Sequence, residues 1–112
     1  MIRQGDVLLI PVMDTKKLDV EPMPKDTRGV VLAEGETSGH FHAVFGGHAK
    51  LFRFKDGRAD MLLDMSDTGI VRVVGGGSGG VDRHTPINIG KGKFIVRTQR
   101  RWDSQRVRQV QD

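Results

Sequence analysis

Three histidines are the side chains most able to do chemistry in this chain: His40, His42 and His84. Ser-Gly-His40-Phe41-His42 has the period of a β-strand. Successive side chains of a strand point to opposite faces, so the two imidazoles share one face and Phe41 takes the other. Two imidazoles two residues apart bind one metal ion when a neighbouring strand supplies a third ligand, and His84 is placed to do so. A three-histidine site suits Zn²⁺, Fe²⁺, Ni²⁺ or Cu²⁺ and leaves coordination positions open for water or substrate. Glu34 and Glu36 lie just upstream, as a fourth ligand or as hydrogen-bond partners that orient an imidazole. The bland alternative keeps the histidines as satisfied polar groups inside a barrel, or at its exposed mouth. His48, between Gly47 and Ala49, is expected in an exposed turn.

The same alternation has a second consequence. If His40 and His42 face inward, then Phe41, Ala43 and Phe45 face outward, and two outer phenylalanines ask for cover from a sheet, a loop or a second subunit. That expectation favours a homo-oligomer. In the opposite arrangement Phe41 and Phe45 form the core and the histidines meet water.

The elements that must position these residues are short and β-rich. Val7 to Ile10, Val30 to Ala33, His40 to Phe45, Ile70 to Val74, Ile87 to Ile89 and Phe94 to Val96 read as strands bounded by Gly, Pro and Asp. Leu51 to Phe54 and Ala59 to Leu63 flank Lys55-Asp56-Gly57-Arg58, where Asp-Gly suits a two-residue type I′ hairpin turn. Residues 13–29 read as a long loop, and residues 75–80, Gly-Gly-Gly-Ser-Gly-Gly, as a flexible one with the composition of a linker. A short helix is expected only at residues 103–110. The chain of 112 residues fits a single domain. Strands at intervals of about ten residues make it an all-β barrel or sandwich.

Composition narrows the setting. Five Phe and one Trp, without Tyr, limit the core to aliphatics and a few rings. No cysteine is present, so a disulfide framework and a thiolate zinc site are excluded. Without a long apolar run or a secretory leader, the expected location is cytoplasmic, with no membrane partner. The net charge is +4, yet residues 91–112 carry seven cations and two anions. The basic character thus belongs to the C-terminal segment 97–112. There Arg97, Arg100, Arg101 and Arg106, with Trp102 among them, could neutralise phosphates and stack a base, dock an acidic protein, or form a solvated face.

Gly75-x-Gly77-x-x-Gly80 matches a dinucleotide-binding pattern by letter, but a non-helical Val-Asp-Arg-His-Thr-Pro follows it. There is no phosphate-binding Gly-Lys-Ser/Thr, and nothing fixes a serine nucleophile beside the histidines.

Gly39-His40-Phe41-His42 in a β-rich chain, with a later histidine before a strand turn, resembles the cupin superfamily of small barrels. That resemblance implies a jelly-roll fold and a metal on His40, His42 and His84. Cupins add a Glu four residues after the pair, where Gly46 stands here, and their later histidine follows Pro-x-Gly. The chain is also similar to short uncharacterised bacterial and phage proteins carrying four motifs. Here these are Gln4 to Val7, Gly39 to His42, His84-Thr85-Pro86-Ile87 and Gln99-Arg100-Arg101-Trp102. This second likeness implies fold and ligands rather than a reaction, and a virion setting if the chain is a phage component. Three readings follow: a metal-binding cupin-like barrel whose reaction, if any, is unspecified; a non-enzymatic structural or accessory protein presenting Phe41, Phe45 and the basic end; and a nucleic-acid-binding barrel.

Overall fold

The computed structural model describes residues 1–13, 18–35, 39–75 and 85–99. They form ten strands: β1 (Ile2–Gln4), β2 (Val7–Pro11), β3 (Val20–Pro22), β4 (Val30–Glu34), β5 (His40–Gly46), β6 (Lys50–Phe54), β7 (Met61–Met65), β8 (Gly69–Gly75), β9 (Ile87–Ile89) and β10 (Gly92–Thr98). A six-stranded sheet runs β1-β2-β10-β7-β6-β3, a four-stranded one runs β4-β5-β8-β9, and every pairing is antiparallel.

Alternation along the strands builds one core between the sheets. In β10, Phe94, Val96 and Thr98 are buried while Ile95 and Arg97 are only partly so. The six-stranded sheet contributes Val7, Leu9, Met61, Leu63, Met65, Phe94 and Val96 to the core, and the four-stranded sheet Leu32, Ala33, Val44, Val71 and Ile89. The domain is therefore an all-β sandwich. Among the described residues no helix is long and apolar enough to cross a membrane.

Three sequence expectations change. Residues 13–29 are not a continuous loop, because Val20–Pro22 pairs with β6 as an edge strand. Pro22 is tolerated there because an edge strand has one side free of ladder hydrogen bonds. The β6–β7 hairpin also departs from a two-residue turn: Arg53 faces Met61 and Phe52 faces Leu62, one residue out of that register. Since a one-residue slip exchanges the faces of a strand, this register is what puts Met61, Leu63 and Met65 inside. The turn closes through the Gly57 amide donating to the Phe54 carbonyl, with Gly57 at φ +84°. Arg58 holds Asp56 and lies 4.3 Å from the centroid of the Phe54 ring. Finally, residues 2–4, where the sequence shows no strand pattern, pair with β2 as strand β1. The helix expected at 103–110 and residues 76–80 of the glycine-rich segment lie outside the described residues.

Candidate functional site

Strand β5 settles which way the histidines face. Val44 shares their parity and belongs to the inter-sheet core, so His40 and His42 point inward. His42 is only 3% exposed. The arrangement with Phe41 and Phe45 as the core is thereby corrected. Phe45 is 43% exposed, and Phe41 is covered by its own chain, with the Arg28 guanidinium 4.6 Å from its ring centroid. The loop that carries Arg28 provides that cover.

The tip of the β4–β5 hairpin closes tightly around His40. The Gly35 amide donates to the His40 carbonyl at 2.7 Å. Gly75, paired with His40 across β5 and β8, has φ +103°, and a Cβ there would collide with the Gly39 carbonyl. Only glycine allows this approach. The His40 ring ends with Nδ1 shielded from solvent and, among the described residues, without a hydrogen-bond partner.

His42 has a partner that histidine spacing does not reveal. Gln4, 5% exposed at the end of β1, reaches across to the four-stranded sheet. Its Nε2 donates to the carbonyls of Val71 (3.1 Å) and Thr85 (3.0 Å). Both carbonyls accept only, which fixes the carboxamide so that Oε1 faces His42 Nδ1 at 2.9 Å. Oε1 is an acceptor, so Nδ1 donates to it, and in the neutral ring the lone pair lies on Nε2. One buried carboxamide thus ties the His42 ring to Thr85, the residue that follows His84 in the chain.

Glu34 is not brought to the histidines, and a β-bulge is the reason. Between Val31 and Ala33 the register shifts, leaving Leu32 as the extra residue. Plain alternation would put Val30, Leu32 and Glu34 on one face. The bulge instead sets Ala33 opposite His42 and Glu34 opposite Phe41, on the outer side. There the Glu34 carboxylate accepts from Arg28 Nη1 (3.1 Å) and Nη2 (2.6 Å). Arg28 also donates to Asp26 through Nε and Nη2, at 3.1 and 2.9 Å. The Arg28 side-chain and backbone hydrogen bonds together hold the Asp26 carboxyl down at about 2. A depressed carboxylate favours the fold above its ordinary pKa, and that contribution disappears as pH falls through the lowered value. A carbon-detected NMR titration is expected to show the Asp26 midpoint near 2. A midpoint at the ordinary 3.8 would mean that Arg28 does not hold it.

Other site expectations divide. His48 sits in an exposed turn with φ +47°. Arg97 is not a free cation for phosphate: its Nε and Nη2 bind both oxygens of the buried Asp60 at 3.0 and 2.8 Å. Glu36, His84, Arg100, Arg101, Trp102 and Arg106 lie outside the described residues. Among the described residues, no three His, Asp or Glu side chains form a metal-holding group.

Sequence reasoning quoted Gln4 within a motif but gave it no role. The available signal was a lone long amide in an otherwise short terminal strand, next to the Gly5-Asp6 turn.

No curated protein and no solved structure matches the chain. One family model does match, over residues 3–99, which includes Gln4, His40, His42 and Thr85. The chain belongs to that family, described as a domain of unknown function (DUF8820).

Proposed function

We propose that this domain binds one divalent transition-metal ion (Zn, Fe, Ni or Cu) through His40, His42 and His84. The observation that carries the reading is the Gln4 carboxamide, which joins His42 Nδ1 to the Thr85 carbonyl. Metal-binding histidines characteristically donate their second ring N–H to a carbonyl or carboxylate, which sets the tautomer and ring angle. Gln4 does this for His42, and the same side chain anchors the backbone adjoining His84. His40 adds a shielded nitrogen with no partner among the described residues. A buried polar atom left in that state costs about 1–3 kcal/mol, which a ligand would offset. The resemblance to cupins, drawn from the same histidines, implies the same ligand set.

A bound ion would act as a Lewis acid toward water or a small ligand at its open positions. Of this chain's residues, His40 and His42 would hold it and Gln4 would position His42. No side chain in the described part is placed as a general acid or base, so binding, rather than a named reaction, is the function proposed.

Equilibrium dialysis against Zn²⁺, Ni²⁺, Cu²⁺ and anaerobic Fe²⁺, followed by elemental analysis, tests this. About one ion per chain is expected, falling close to zero in His42→Ala. Metal at a hundredfold excess over Kd should also stabilise the fold by about 2.7 kcal/mol. Absence of saturable binding, or binding that His42→Ala leaves intact, contradicts the proposal. An assembly indifferent to both chelator and that substitution would point to the structural or interaction role instead.

A further inference from the structure

A second site lies away from the histidines, where β3 and β6 of one sheet approach the start of β4 in the other. A pocket of about 620 Å³ opens there, walled by Met23, Val30, Val31, Ala49, Leu51 and Phe52. Its volume is within the range of pockets that hold small organic ligands, about 300–1,000 Å³. Met23, Val30, Ala49 and Leu51 pack directly against the core, so the pocket is an open end of the sandwich interior rather than a surface dent. Val31, where the β4 bulge begins, is in its wall, and bulges recur beside binding sites.

Charge at the mouth selects the occupant. Lys25 and Lys50 line it and, among the described residues, neither makes an ion pair. Asp64 stands opposite Lys50 on β7, yet among the described residues no ion pair joins the two. The one carboxylate in the lining, Asp26, is occupied by Arg28 through two side-chain hydrogen bonds. An apolar cleft with two unmatched ammonium groups at its entrance complements a molecule with an apolar body and an anionic end.

We infer that this pocket binds a small amphipathic carboxylate, with its chain against Leu51 and Met23 and its head group between Lys25 and Lys50. The inference does not rest on the metal reading, since no histidine lines the pocket.

Isothermal titration calorimetry with dodecanoate and dodecyltrimethylammonium, both below their micellar concentrations, tests it on the full chain. One dodecanoate per chain is expected, at least about tenfold tighter than the cationic amphiphile, with a negative heat-capacity change. The exposed double variant Lys25→Glu/Lys50→Glu should lose that preference or reverse it. Ala49→Phe, which fills the cavity, should weaken dodecanoate by about tenfold or more. Equal affinity for the two amphiphiles overturns the inference, as does no saturable uptake or a preference unchanged in the lysine variant. Sedimentation showing a dimer that Ala49→Phe disrupts and dodecanoate does not would assign the groove to a second copy of the chain, and would overturn it too.

Discussion

Replacing Gln4 with leucine is expected to weaken metal binding by about 10–100-fold and to lower stability by several kcal/mol. The side chain is nearly isosteric, so packing is largely kept while three hydrogen bonds, two buried and one part-buried, are lost. The carbonyls of Val71 and Thr85 and the Nδ1–H of His42 are left without Gln4, at about 1–3 kcal/mol each. Urea unfolding measures the stability, and competition against a chromophoric chelator measures the affinity. Gln4→Glu separates the two effects. It retains an acceptor for His42 but surrenders the donors to Val71 and Thr85. Its metal affinity should therefore stay above that of Gln4→Leu while its stability falls. Equal metal affinity in wild type and Gln4→Leu would show that the carboxamide is structural only.

Leu63→Ala should produce the largest loss among single apolar truncations, about 2–5 kcal/mol in urea unfolding. Leu63 is fully buried at the centre of β7, opposite Leu51 on β6 and Phe94 on β10. Both neighbouring strands are held by long ladders, so the backbone has little freedom to collapse into the space. Phe52, one residue further along the same hairpin but only partly buried, makes a useful contrast and should cost less when shortened. A loss below 1 kcal/mol for Leu63→Ala would mean that the two sheets do not meet at β7.

Much of the fold could be read from local pattern. β2, β4, β5 and β8 are apolar or alternating runs bounded by Gly, Asp or Pro, and each appears where those cues place it. β1 and β3 were missed because three-residue edge strands have too few positions to show a period and are defined by their partners, β2 and β6. The hairpin register escaped for a related reason: Asp56-Gly57 marks a turn but does not fix its length, which tertiary burial of Met61, Leu63 and Met65 decides.

The site was legible in its parts and hidden in its assembly. Strand alternation correctly paired His40 with His42 on one face, although the direction of that face needed Val44 and the second sheet to settle it. Glu34 was expected near the histidines from its nearness in sequence alone, and the bulge at Leu32 turns it to the outer side. Gln4 could not be linked to His42 from spacing, since 38 residues separate them. In the fold, however, the separate motifs meet. Gln4 contacts His42 and Thr85, and the Gln99 amide donates to the Asp6 carbonyl at 2.9 Å. Short motifs scattered over the sequence thus converge around the start of the chain.

Extended X-ray absorption fine structure on the zinc-loaded protein tests the central claim most directly. Three imidazole nitrogens at about 2.0–2.1 Å are expected, with a water oxygen completing the shell. A first shell showing fewer than three imidazoles would contradict a site built from His40, His42 and His84.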